Sequence, residues 1–318
     1  MPLTTDLGFE ITLIDAHDLG KEQRTGSYVL HGDDLTIIET SASPSVPYIL
    51  EGLKELGIDP AEIKNIIVTH IHLDHAGGAG LLLRSCPNAN VYVHPRGQRH
   101  LADPSKLILS ARTVYGDEFD QLFDPILPIP EDRLVVMNDG ETLKISENRV
   151  LTFYDSPGHA KHHFSIHDSL SNGMFTGDTI GVAYPQLLEQ GFELYLPSTS
   201  PNQFDPDAML NSLKKIEGLQ VDRIYFGHYG VSENPSSVYE QIRSWLPKYV
   251  EAGEKVWSRF ESDSFEKKHE ELTKALGKEI QDFLAGENIH PEGEIAEILQ
   301  LDVSVCSMGI IDYLAKKK

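Results

Sequence analysis

Four potential metal ligands fall within six positions of this 318-residue chain, in Thr69-His70-Ile71-His72-Leu73-Asp74-His75, directly behind the apolar run Ile66-Ile67-Val68. A short β-branched run reads as a buried strand, so the chain must fold around a strand whose C-terminal end opens into a dense polar loop. Imidazoles and carboxylates buried without partners are costly, and a shared cation removes that cost. His70 and His72, two apart, can converge on one ion, while Asp74 and His75 can turn toward a second ion beside it. Such donors suit zinc, iron and manganese alike.

Three more candidates stand in one local setting. Ser156-Pro157-Gly158-His159, Thr176-Gly177-Asp178 and Phe226-Gly227-His228 each follow an apolar strand, and glycine precedes each candidate ligand. A residue without Cβ lets the backbone turn sharply and approach a crowded site.

The surrounding chain reads as a mixed α/β core. Residues 9–15, 27–32 and 34–40 are β-rich runs separated by turns, which predicts adjacent antiparallel strands. A helix is predicted from Ser43 through Ile49, Leu50, Leu53 and Leu56, with Gly57 as its stop. Residues 96–133, broken by Pro104, Gly116, Pro125, Pro128 and Pro130, read as an insertion of short helices. Strands return at 133–137, 149–156, 163–169 and 173–178, a helix is predicted over 206–217, and a final strand over 222–228. From Asn234-Pro235 onward the pattern is helical, with Pro247 expected to kink or divide the first helix. Phe265, Leu272, Leu276, Ile280 and Phe283 mark a second helix, and residues 291–314 suggest a third. This gives a catalytic domain at 1–233 and a C-terminal helical extension at 234–318.

HIHLDH followed by Gly-His, Gly-Asp and Gly-His resembles the metallo-β-lactamase superfamily, in its glyoxalase II-like hydrolase branch, across roughly residues 8–230. The resemblance implies an αβ/βα four-layer sandwich with metals at one edge. It assigns His70, His72 and His159 to one metal, Asp74, His75 and His228 to the second, and Asp178 to the bridge between them. It also implies two divalent ions, zinc first, with iron or manganese as alternatives. Two such ions ~3.5–4 Å apart lower the pKa of a bridging water and supply hydroxide at neutral pH. Asp74 and Asp178 are the residues expected to act in catalysis, Asp74 by orienting the nucleophile or moving a proton to the leaving group.

Hydrolysis of an ester, thioester or lactone carbonyl is the expected reaction. Iron-dependent redox chemistry, persulfide dioxygenase-like or diiron, is the alternative on the same fold. The flavodiiron pattern has Glu where this chain has His72, no flavin domain is read here, and a mononuclear dioxygenase leaves the second-metal ligands unexplained. A small-molecule phosphodiesterase is a third reading, because two-metal geometry also accepts phosphoryl groups.

Charge narrows the partners. Acidic residues outnumber basic ones 49 to 27, for a formal net charge of −22, which repels long nucleic acids and leaves a small-molecule substrate as the expected partner, with homo-oligomerisation open. Cys86 and Cys306 lie far apart without CxxC spacing, so neither a disulfide framework nor a thiolate zinc site is suggested. With no secretory signal and no apolar run near the ~20 residues that span a bilayer, a cytoplasmic, membrane-free location is expected.

Several polar residues are set aside. His162 and His163, just after His159, read as ordinary hydrogen-bonded or supporting groups outside the metal set. Tyr184, six residues past Asp178, reads as a packed aromatic rather than a substrate contact, and Cys86 as a small buried residue. The C-terminal helices are read first as core completion, ahead of a lid or a subunit interface.

Overall fold

Seven strands pair in chain order to form the first sheet of the computed structural model, which describes residues 2–317. They are β1 (Thr4–Asp6), β2 (Ile11–Asp15), β3 (Gly26–Leu30), β4 (Thr36–Ile38), β5 (Asn65–Ile67), β6 (Asn90–Val93) and β7 (Leu134–Val136). As expected, β2, β3 and β4 are antiparallel neighbours, with Leu13 opposite Tyr28 and Val29 opposite Ile37. From β4 to β7 the pairing is parallel. Parallel neighbours need long crossovers, and helices supply them: α1 (Val46–Glu55) after β4, then α2 (Leu73–Ala76) and α3 (Ala79–Ser85) after β5. The predicted insertion holds α4 (Gln98–Ala102), α5 (Ser105–Tyr115) and α6 (Phe119–Phe123), between β6 and β7.

The second sheet is built from β8 (Thr142–Ser146), β9 (Arg149–Asp155), β10 (Phe164–Asp168) and β11 (Gly173–Gly177). After two short strands that pair with each other, β12 (Val182–Ala183) and β13 (Tyr195–Leu196), it is completed by β14 (Arg223–Phe226) and β15 (Val231–Ser232). Its order is β15-β14-β11-β10-β9-β8.

Side chains alternate across a strand, and the cores follow that rule. Leu13 and Ile67 join Phe153, Ile166, Phe175 and Tyr225 in the cluster shared by the two sheets. Their neighbours Ile14 and Ile66 belong instead to the cluster formed with Ile49 and Leu53 of α1 and Leu82 of α3. One buried ion pair ties this architecture together. The Arg149 guanidinium donates to both Asp168 oxygens at 2.9 and 3.0 Å, and also to the carbonyls of Phe9 at 2.6 Å and of Glu10 and His31 at 3.2 Å. With every donor on an acceptor, a charge fully removed from water is tolerated.

The chain divides into two compact units. Met1–Asp155, His162–Gly177 and Gln220–Asn234 make the first, which contains both large sheets. Ser156–Lys161, Asp178–Leu219 and Pro235–Lys318 make the second. The boundary read after residue 233 lies beside the last crossing between units, and residues 156–161 and 178–219 group with the helices that follow it.

The second unit contains the β12–β13 pair, α7 (Pro185–Leu188), α8 (Pro206–Gly218), α9 (Pro235–Arg259), α10 (Phe265–Gly286) and α11 (Glu294–Lys316). Its core draws Leu196 and Met209 together with Trp245 and Tyr249 of α9, Leu272 and Leu276 of α10, and Val303 and Ile310 of α11. Pro247 does not divide α9, which runs on for 25 residues. A proline forfeits one backbone hydrogen bond, and buried Trp245, Leu246 and Tyr249 on either side of it hold the helix together. On the α10 stripe Leu272, Leu276 and Ile280 are buried, whereas Phe265, its first residue, is exposed.

By length and composition α11 is apolar enough to cross a membrane. Glu297, Asp302 and Asp312 interrupt it, so it contains no long run of consecutive apolar residues. Its Ile295, Ile298, Val303, Ile310 and Ile311 are buried in the core of the second unit, the place of a core helix.

Candidate metal centre

Strand β5 ends at Ile67, and the chain leaves it through Val68 and Thr69 into His70. His72 stays extended and opens α2, a single helical turn where a loop was expected. That turn is what separates the two ligand pairs. His70 Nε2 and His72 Nδ1 stand 3.0 Å apart. Asp74 and His75, now on the helical turn, meet His228 from the end of β14: Asp74 Oδ2 is 3.7 Å from His75 Nε2 and 3.5 Å from His228 Nε2. These three donor atoms all lie within 4.8 Å of one another.

His70, His72 and His75 are held from behind. Glu39, just past β4, accepts the His75 Nδ1–H at 2.6 Å through one oxygen and the Thr69 backbone N–H at 2.8 Å through the other. That bond places the ring proton on Nδ1 and turns Nε2 toward Asp74, the arrangement by which a carboxylate orients a ligating imidazole. Glu39 takes a left-handed backbone, φ +68°, to make it. Thr69 Oγ1 sits 3.1 Å from His70 Nδ1. The rings of His70 and His163 stack at 4.9 Å, and His72 meets His162 edge-on at 5.3 Å. Both later histidines are therefore packed against the first pair. Asp18 is also buried in this unit. Burial first, then the charge of Asp74, pushes its carboxyl up to about 6.

In the second unit the chain brings His159 and Asp178 together, with His159 Nε2 3.7 Å from Asp178 Oδ2. His159 Nδ1–H donates to the Ser198 carbonyl at 2.9 Å, and the Ser198 hydroxyl donates to Asp178 Oδ2 at 3.0 Å.

The glycines before the ligands act as expected from their lack of a side chain. At Gly158, φ +141°, a Cβ would lie 2.3 Å from Met209 Cα. At Gly177, φ +48°, it would lie 2.5 Å from Thr69 Oγ1, and at Gly227 2.6 Å from His75 Cε1. Alanine at any of the three would displace the residues that carry or support the donors.

The donor chemistry fits divalent cations. Donors held at ~2.0–2.2 Å from a tetrahedral ion lie roughly 3.4 Å from one another, close to the 3.5 and 3.7 Å separations found here in each unit. Imidazole nitrogens and carboxylate oxygens are the ligand types zinc, iron and manganese accept.

Comparison with known proteins agrees with this chemistry. Residues 21–228 match the metallo-beta-lactamase superfamily. The chain belongs to that superfamily. It is 25% identical over 266 residues to the beta-lactamase-like protein 2 homolog of Caenorhabditis elegans, covering 83% of this chain and 73% of that protein. It is 28% identical over 203 residues to a hydroxyacylglutathione hydrolase of Synechococcus, covering 63% of this chain and 62% of the hydrolase. Against a putative diflavin flavoprotein of Nostoc it is 24% identical over 277 residues, 80% of this chain but 42% of that longer protein. An archaeal metallo-beta-lactamase superfamily protein from Sulfolobus tokodaii superposes with a TM-score of 0.67 at 21% identity, covering 94% of this chain and 97% of that one. The fold is therefore the α/β sandwich of the superfamily with C-terminal helices.

Membership in the metallo-beta-lactamase superfamily implies divalent metal ions, and the His/Asp clusters supply donors for them. The family motif did not point to Glu39, Asp18 or Ser198. Glu39 had a weak signal, a lone carboxylate closing the run Leu35-Thr36-Ile37-Ile38, but nothing in its spacing separates it from a surface glutamate. Tyr184 is buried and its hydroxyl donates to Asp302 at 2.9 Å, which favours the packing role read for it. Cys86 is buried in the core of the first unit, and burial pushes its thiol up to about 12, well away from a reactive thiolate.

Proposed function

We propose that this superfamily member is a dinuclear metal-dependent hydrolase acting on the carbonyl of a small ester, thioester or lactone. The observation that carries the reading is the Asp74–His75–His228 donor set beside an intact His70–His72 pair. In the proposal His70, His72 and His159 hold one ion, Asp74, His75 and His228 the other, and Asp178 serves both. Two divalent ions held there would supply an acidified water and Lewis-acid polarisation of a carbonyl. The chain's own part is to present the donors: Glu39 holds His75 in one tautomer, and the role proposed for Asp74 is to orient the nucleophile or help move a proton to the leaving group. The hydroxyacylglutathione hydrolase similarity supports acyl chemistry, and the −22 charge supports a small substrate over a long polyanion. Two buried free cysteines accord with a reducing, cytoplasmic setting.

The similarity to a diflavin flavoprotein favours an iron-dependent oxidoreductase as the second reading, which sequence resists at His72. Small phosphodiesters are the remaining substrate class. Elemental analysis of the purified protein, with turnover of a lactone, thioester and phosphodiester panel before and after chelation, tests all three. About two zinc or manganese ions per chain with chelator-sensitive acyl cleavage, lost along with the metal in His72→Ala and Asp178→Ala, is the expected result. Iron with oxygen consumption and no hydrolysis overturns it.

A further inference from the structure

His159 and Asp178 are 19 positions apart in the chain, and both lean on one residue, Ser198. Its carbonyl accepts the His159 Nδ1–H and its hydroxyl donates to Asp178 Oδ2. The first contact fixes the imidazole tautomer with Nε2 toward Asp178. The second holds Oδ2, the carboxylate oxygen that stands 3.7 Å from His159 Nε2. Residues 197–200, however, have no regular structure of their own, so something else must hold Ser198 in place.

That support is α11. Thr199 N–H donates to Cys306 Sγ at 3.4 Å, its hydroxyl donates to the Cys306 carbonyl at 2.9 Å, and the Cys306 thiol donates to the Pro197 carbonyl at 3.3 Å. Burial pushes that thiol up to about 12, so it keeps the proton it donates. Gly309, one turn further on, lies so close that a Cβ there would stand 1.7 Å from the Thr199 carbonyl oxygen. Nearer the helix end, Asp312 accepts from Asn202 N–H at 3.1 Å and Lys316 donates to the Asn202 carbonyl at 2.9 Å. The last helix thus grips residues 197–202 along three of its turns.

We propose that Ser198 is a positioning residue for the His159–Asp178 pair and that α11 is the buttress that sets it, a role for the C-terminal helices distinct from a lid, a subunit interface or simple core filling. The proposal rests on the metal-centre reading above. Supporting groups of this kind alter metal affinity by ~10–100-fold when removed. Competition titration of the metal-free protein with zinc ion against a chromophoric chelator reads that effect directly, and the visible absorption of the cobalt-substituted protein reports the ligand geometry.

Ser198→Ala is expected to weaken zinc binding ~10–100-fold and to shift the cobalt bands, while leaving the melting temperature of the metal-free protein nearly unchanged. Ser198→Thr, which keeps a hydroxyl, is expected to restore most of the affinity. Gly309→Ala should reproduce the loss, and the double variant with Ser198→Ala should bind no more weakly than the worse single one. Because Gly309→Ala can fail to fold, Thr199→Val, which removes only the hydroxyl bonded to Cys306, provides the gentler test. Wild-type zinc affinity and unchanged cobalt bands in Ser198→Ala overturn the positioning role. Wild-type affinity in both Gly309→Ala and Thr199→Val overturns the buttress. Wild-type protein that binds no divalent ion removes the metal-centre reading itself, an outcome distinct from either.

Discussion

The two units hold their candidate ligands by different physical means. In the first, the grip is electrostatic, a buried glutamate on a buried imidazole with histidine rings packed on one another, and the same unit holds a fully buried Arg149–Asp168 pair away from the ligands' own contacts. In the second, it is neutral and steric: a serine, a carbonyl, a thiol and a glycine against which nothing larger fits. Charge fixes direction strongly but leaves a large penalty when one partner is lost. Shape and neutral hydrogen bonds lose less per contact and depend more on distant packing.

The largest effect that could break this comparison is expected at the ion pair. Arg149→Met, which strands Asp168, should cost about 3–5 kcal/mol of unfolding free energy, read by urea denaturation, and adding Asp168→Leu should recover part of it. A loss under about 1 kcal/mol would mean that charge is not what secures the first unit.

Glu39→Gln is next. It keeps size and removes the charge behind His75, and is expected to weaken zinc binding ~10–100-fold with a modest loss of stability. Unchanged affinity would place the orienting force elsewhere.

Asp18 sharpens the comparison through pH. Its carboxyl, raised from 3.8 to about 6, binds a proton in the folded chelated protein over a window where the unfolded chain has released it. Stability contributed by this group is therefore highest below the unfolded value and falls as pH rises through the folded one. Asp18→Asn should flatten the fall between pH 4 and 7, with a relative gain on the order of 1–3 kcal/mol at pH 7. An identical pH slope in both proteins would refute it.

The smallest effect is expected in the second unit. Tyr184→Phe loses one hydrogen bond to the Asp302 carboxylate and is expected to cost about 1.5 kcal/mol without changing kcat. A tenfold fall in kcat at unchanged stability would move Tyr184 from packing to chemistry.

How far the sequence could be read follows the same division. The first group of candidate ligands stands out in the sequence because four donor types fall within six residues, and the later three candidates because each follows a strand and a glycine. Strands β2 to β5 and β7 were legible from β-branched runs and turns, whereas the short β1 was not. Glu39 was not, since one carboxylate after one strand carries no spacing signal. Ser198 was further out of reach: its support comes from Cys306 and Gly309, and the Thr199–Cys306 contact spans 107 positions. Pro247 misled because local propensity was outweighed by the core that Trp245 and Tyr249 join.

The grip of α11 on residues 197–202 also sets an order of events during synthesis. His159 and Asp178 leave the ribosome well before the helix that steadies them, and at ~5–20 residues per second the remaining chain takes on the order of ten seconds to follow. A nascent chain stalled before Cys306 would carry all seven candidate ligands but only one of the two grips, so firm metal binding is expected to wait until α11 has emerged and docked.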